Sequence, residues 1–149
     1  MNDWAARRIL VAVNDSPAAL AAARAAVYLA RATGAEVRFV HVLGDGELAR
    51  ALDGTDHGRP VEERRTRAAT SLLQRLVAQA HREGVRADSA GLEGEPARLV
   101  LGQARSWGAD LVVIGRSDVP ATGRPYVGTV TRHVLEFSDG PVLVVPRPG

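Results

Sequence analysis

Two short stretches of this chain carry residue types that could hold a charged ligand. One is Asn14-Asp15-Ser16, which follows an apolar run ending at Val13. The other begins at Gly115, at the end of a second apolar run, and closes on the pair Gly128-Thr129. A Gly-Thr pair at the head of a helix suits an anion. The free backbone N–H groups and the helix dipole favour negative charge, and glycine lets a phosphate come close to the backbone. The Thr129 hydroxyl can donate a further hydrogen bond. Arg116 and Arg124 lie in the same stretch, within reach of phosphate oxygens, although exposed arginine is the commoner role. By itself the pattern also fits an ordinary strand-to-helix loop ending in a helix cap, so its chemistry depends on where the fold places it.

Other chemistries find little footing. The histidines His41, His57, His81 and His133 show no metal-ligand spacing, and there is no cysteine to add to them, so no metal site is expected. His41 falls in a strand-like run and is expected to be a packed residue. His57 stands beside Asp53 and Asp56 in a polar loop. The nucleophile elbow G-x-S-x-G is absent, and the phosphate loop ending in G-K-[ST] cannot occur in a chain without lysine. No general base stands out, so no catalytic residue is expected.

The elements that must position the two stretches follow from periodicity. Residues 8–13 form a strand-length apolar run. Ser16 is a good N-cap and Pro17 suits the first helical position, so a helix is expected to about Thr33, with Leu20, Ala23, Val27 and Ala30 on one face and Gly34 as its stop. Residues 36–43 make a second strand. A long polar loop with four glycines occupies 44–60, with one helical turn expected near 47–52. A loop of that length is usually functional or mobile. A second helix is expected over 61–83, its face carrying Leu72, Leu76 and Ala80 beside Leu73 and Val77. Residues 85–91 form a weak strand with charges at Arg86 and Asp88, as an edge strand would. A helix over 95–107, a buried strand over 110–115, a helix from Gly128 to about Ser138 and a last strand over 141–146 complete the order βαβαβαβαβ. Alternation of this kind gives an α/β domain with a parallel sheet, right-handed crossovers and helices on both faces. Ligands in such sheets sit outside the carboxyl ends of the strands where the strand order reverses.

Composition is that of one globular domain. The chain has 149 residues, 46% hydrophobic and 24% charged, and only 4% aromatic, so the core must be built from Val, Leu, Ile and Ala. All 19 basic residues are arginine, set among 17 acidic residues for a net charge of +2. No basic stripe with interleaved aromatics emerges, and nucleic acid is not an expected partner. No run approaches the ~20 apolar residues that span a bilayer, and the start lacks the apolar segment of a signal peptide. Absence of cysteine is compatible with a reducing compartment. A cytoplasmic protein without a membrane partner is expected.

Four pieces in order resemble the universal stress protein family: ILVAVNDSP, GAEVRFVHV, GADLVVIGRS and GTVTRHVLEFSDGPVLVVP. The likeness covers nearly the whole chain, as one domain over residues 1–149. It implies an open five-stranded parallel sheet in order 3-2-1-4-5 of the adenine nucleotide alpha hydrolase-like type. It also implies a homodimer paired through the last strand, over Val142, Leu143, Val144 and Val145, and a stress-response protein that binds an adenine nucleotide. The implied nucleotide-binding set is Ala12, Val13, Asn14, Val42, Ile114, Gly115, Ser117, Asp118, Gly128, Thr129, Val130 and Thr131. Within it Val13, Asn14 and Val42 would contact the adenosine part, and Gly115, Gly128, Thr129 and Val130 would surround the phosphates. ATP or another adenine nucleotide, with or without Mg²⁺, is the implied cofactor, and slow ATP hydrolysis the most that the family's activity implies.

Two positions depart from the family pattern. ATP-binding members carry G-2x-G-9x-G-[ST]; the spacing is kept here, but Asp118 replaces the second glycine, and Gly123 inside the spacer does not restore it. Asn14 stands where the family usually has Asp. A carboxylate ~4 Å from a phosphate charge costs about 4 kcal/mol at an effective dielectric of 20, or roughly a thousandfold in affinity; a bound Mg²⁺ would convert that repulsion into coordination. Asn14 still both donates and accepts hydrogen bonds. Three readings stand side by side: an ATP site, a site for a less charged ligand such as AMP or a cyclic dinucleotide, and a ligand-free dimer that binds a protein partner not named by the sequence.

Overall fold

The computed structural model describes residues 3–44, 58–116 and 128–148. The helical turn expected at 47–52 and the residues His57, Ser117, Asp118 and Arg124 lie outside them. The elements are β1 (Arg8–Ala12), α1 (Pro17–Thr33), β2 (Glu36–Leu43), α2 (Gly58–Arg82), β3 (Ala87–Glu93), α3 (Pro96–Trp107), β4 (Leu111–Gly115), α4 (Thr129–Phe137) and β5 (Val142–Val145). The five strands form one parallel sheet in the order β3-β2-β1-β4-β5. Chain order therefore runs outward from β1 in one direction to β3, then jumps back across β1 to β4 and β5. The reversal opens a crevice between the carboxyl ends of β1 and β4.

Strand alternation divides the core in two. Ile9, Val11, Val37 and Phe39 point to one face, where α1 and α2 cover them; Leu10, Val40, Val112 and Ile114 point to the other, against α3 and α4. Central strands buried on both faces need the continuous apolar runs that β1 and β4 have. Each fully buried Val or Ile contributes about 1.5–3 kcal/mol, which is how a core whose largest fully buried side chain is Phe39 holds together. The buried face of α1 is alanine at 18, 19, 22, 23, 26 and 30, with Val27. Side chains this small let the helix axis lie close to the sheet.

Boundaries differ from the sequence expectation where local chemistry overrides pattern. The second helix begins at Gly58 instead of residue 61. Pro60 falls in its first turn, where no intrahelical N–H is needed. The third strand was expected at 85–91 and lies at Ala87–Glu93. Val85 does not join it, because it closes α2: Gly84 adopts a left-handed φ of 78°, its N–H donates to the His81 carbonyl at 3.0 Å, and the Val85 N–H donates to the Ala80 carbonyl at 2.9 Å. Val85 is buried all the same. Among the described residues no helix is long and apolar enough to cross a membrane.

The amino ends of the strands are tied by charge and aromatic contacts. Arg38 makes a two-pronged ion pair with Asp88 on the neighbouring strand, at 2.8 and 2.9 Å. Its guanidinium lies 4.7 Å from the Trp107 ring centroid, and that of Arg8 lies 5.8 Å from the same ring. Arg8 also donates to the Trp107 carbonyl at 2.7 Å. The Asp110 carboxylate accepts from the backbone N–H of both Arg7 and Arg8, each at 2.9 Å.

Candidate functional site

At the carboxyl ends of β1, β2 and β4 lies a cavity of about 300 Å³. Its apolar wall comes from Ala12, Val40, Val42, Pro96, Val100 and Ile114; Asn14, Ser16, Arg116 and Thr131 bring polar atoms to it, and Val13, Ala19, Gly115 and Val130 complete the described lining. A volume of this order is at the small end of ligand pockets, which have such apolar walls and few polar groups. No carboxylate is among the described lining residues.

Three helices begin around this crevice, and their N-termini differ. In α1 the Ser16 Oγ accepts from the Ala19 N–H at 3.2 Å. In α3 the Glu95 carboxylate accepts from the N–H groups of Ala97 and Arg98, at 3.2 and 2.8 Å. Both helices thus supply their own cap. The cap position of α4 is Gly128, which has no side chain and makes no side-chain cap hydrogen bond. The first intrahelical bond of α4 runs from the Arg132 N–H to the Gly128 carbonyl at 2.9 Å. The N–H groups of Thr129, Val130 and Thr131 therefore have no intrahelical acceptor, and Val130 and Thr131 lie in the cavity wall.

Several polar groups here are already engaged. The Ser16 N–H donates to Asn14 Oδ1 at 2.8 Å, which fixes the turn after β1. A backbone donor requires an oxygen opposite it, so the end of Asn14 left over is the amide nitrogen, a donor. The Thr131 hydroxyl is buried and donates to the Gly115 carbonyl at 3.1 Å, tying the head of α4 to the end of β4. Gly115 meets protein on its open side: a Cβ there would come within 2.6 Å of the Ala18 carbonyl carbon and 2.8 Å of the Ala19 nitrogen. Its lack of a side chain is what lets the first turn of α1 cross over β4.

Of the residues the resemblance implied, the cavity brings together Ala12, Val13, Asn14, Val42, Ile114, Gly115, Val130 and Thr131. Gly128 is buried at the head of α4 and Thr129 is exposed there, and neither is among the described lining residues. Ser117 and Asp118 lie outside the described residues. Sequence reasoning missed Ala19, Val40, Pro96 and Val100. Val40 was accessible, since it shares a strand face with Val42; Pro96 and Val100 enter only because α3 packs over β2. His41 stands on the opposite face from Val42. Its Nδ1 is buried with no hydrogen-bond partner among the described residues. Burial lowers its pKa below the ordinary value, with Asp15 pulling it up and Arg65 pushing it down.

Comparison with known proteins places this arrangement among relatives. The family model described as universal stress protein family matches residues 5–146. Universal stress protein YxiE of Bacillus subtilis is 28% identical over 146 residues, 93% of this chain and 97% of that one. A universal stress protein structure from Archaeoglobus fulgidus is 27% identical, with a TM-score of 0.74, covering 93% of this chain and 98% of its own. A structure of the universal stress protein from Archaeoglobus fulgidus in complex with dAMP has a TM-score of 0.67 and 26% identity over 93% and 97% of the two chains.

Proposed function

The chain belongs to the universal stress protein family, and we propose that it is a regulatory protein which binds an adenine nucleotide at the carboxyl ends of β1 and β4 and signals as a cytoplasmic homodimer. The observation that carries this reading is the start of α4, whose cap position Gly128 has no side chain to satisfy the first amides. Amide donors with no partner in their own helix stand beside an apolar wall, in a cavity of about 300 Å³ whose described lining holds no carboxylate. The wall of Val40, Val42, Pro96 and Val100 suits a base, and the amides of Val130 and Thr131, with Arg116, suit phosphate oxygens. A relative whose structure is in complex with dAMP supports an adenine nucleotide over other anions. The protein works in this reading by occupancy and not by turnover.

A second reading is a dimer that binds a protein partner and no nucleotide. It is favoured by the internal engagement of groups a nucleotide would use: Asn14 Oδ1 by Ser16, the Thr131 hydroxyl by Gly115, and the open side of Gly115 by α1.

The test is to identify any nucleotide carried by the purified protein, then titrate ATP, AMP and a cyclic dinucleotide by calorimetry with and without Mg²⁺. Saturable binding of one of them that Gly128→Val weakens by at least about tenfold, or 1.4 kcal/mol, supports the site. No binding, or binding indifferent to Gly128→Val, leaves the partner-binding dimer.

A further inference from the structure

We propose that His41 is a positioning residue for the turn Asn14-Asp15-Ser16, and that a proton taken up by its ring is felt across the sheet as a change in the cavity wall. The inference concerns the site proposed above and rests on that reading only for its consequence on ligand affinity.

The geometry starts from the strand pairing. Ala12 sits opposite Val40, and the Val13 N–H donates to the Val40 carbonyl at 2.9 Å, so β1 ends and turns directly beside His41. Val40 and Val42 face the cavity, whereas His41 follows Phe39 onto the α1 and α2 side. The imidazole is partly buried there, and its Nδ1 is enclosed without an acceptor or donor opposite it among the described residues. An orphaned polar atom in an enclosed place is costly and calls for a reason. On β3 the residue opposite is Gly91, which brings no side chain. Two charged groups act on the ring: Asp15, from the turn after β1, and Arg65, from α2.

These groups have opposite effects. Neutral His41 makes no demand on Asp15. Once protonated, the ring offers N–H donors on both sides and attracts the Asp15 carboxylate, against repulsion from Arg65. Asp15 cannot move alone. It lies between Asn14, whose Oδ1 holds the Ser16 N–H, and Ser16, whose Oγ caps α1. Asn14 and Ser16 both line the cavity. A displacement of Asp15 toward His41 on one face therefore shifts the cavity rim on the other.

The experiment uses the ligand-free protein and ¹H–¹⁵N spectra between pH 8 and 5, with His41→Gln and Asp15→Asn beside the native chain. The amides of Asn14, Asp15 and Ser16 are expected to move with one midpoint, matching that of the His41 ring, and to lose that titration in both variants. Adenosine, which does not titrate in this range, is the ligand probe: its affinity should change by at least about threefold across the range in the native chain, and by less in either variant. Turn amides that stay still while the His41 ring titrates overturn the inference, as does the same titration persisting in His41→Gln or Asp15→Asn. Failure of adenosine to bind, with no phosphate to anchor it, leaves the nucleotide reading to the titrations above and the amide titration to decide this one. The exposed Asp15 variant keeps the test open should His41→Gln not fold.

Discussion

At the scale of single residues, two positions carry more than their types suggest. Gly115 ends an apolar strand and looks like a phosphate-loop glycine, yet its missing Cβ is required by the backbone of Ala18 and Ala19. Gly115→Ala must push α1 off β4, and overpacking of this kind costs about 1–3 kcal/mol; thermal or urea unfolding will show the loss with no ligand present. His41 gives stability a pH dependence of definite sign. Burial, its leading influence, lowers the ring's pKa from the ordinary 6.5, so the unfolded chain binds the proton more readily than the folded one. Stability contributed by this site falls as pH drops through about 6.5 and levels off once pH lies below the folded-state value. Urea midpoints measured from pH 8 to 5 should show that decline in the native chain and a smaller one in His41→Gln.

At the scale of elements, the order and kind of every strand and helix among the described residues could be read from the sequence, because nearly all combine a clear period with a clear stop, the third strand being the weak one. Ser16-Pro17 and Gly34 bracket α1 within a residue. The misplaced start of the third strand belongs to a residue with two competing uses: Val85 is apolar and β-branched, but the cap of α2 claims its N–H. The candidate site was legible in part. Its strand-borne members Ala12, Val13, Val42 and Ile114 came with the family resemblance, whereas Pro96 and Val100 depend on how a helix packs, which periodicity does not encode. Nor could the sequence tell that Asn14, Gly115 and Thr131 are engaged with the fold itself. Trp107, unremarked in the sequence, proves to be the seat of two guanidinium groups. Arg38→Met removes the closer of these and the ion pair with Asp88. Cation–π contacts and partly exposed ion pairs together make a loss of about 1–2 kcal/mol the expected result in chemical denaturation, with little change at the distant cavity.

At the scale of the whole molecule, β5 is left at the margin of the sheet. Leu143 is 37% exposed on it, and Phe137 at 56% and Leu135 at 46% are exposed on the adjoining helix. A bare apolar edge invites pairing with another strand, which agrees with the proposed homodimer. The place to test it is Leu143, since Val142 and Val144 pack against the α3 and α4 core and a charge there would confound folding with assembly. Leu143→Glu should shift sedimentation toward the monomer while leaving the circular dichroism spectrum intact. An unchanged dimer would move the interface elsewhere.

The knot of Arg8, Arg38, Asp110 and Trp107 lies at the pole of the sheet opposite the cavity. Strands fastened at their amino ends should breathe unevenly along their length. Amide protons near Leu10 and Val112 should outlast those of Asn14 and Ser16 in deuterium exchange, because only global opening releases them. Whatever settles in the rim can then tighten or loosen that end alone, so a signal can be written into this protein without rewriting its frame.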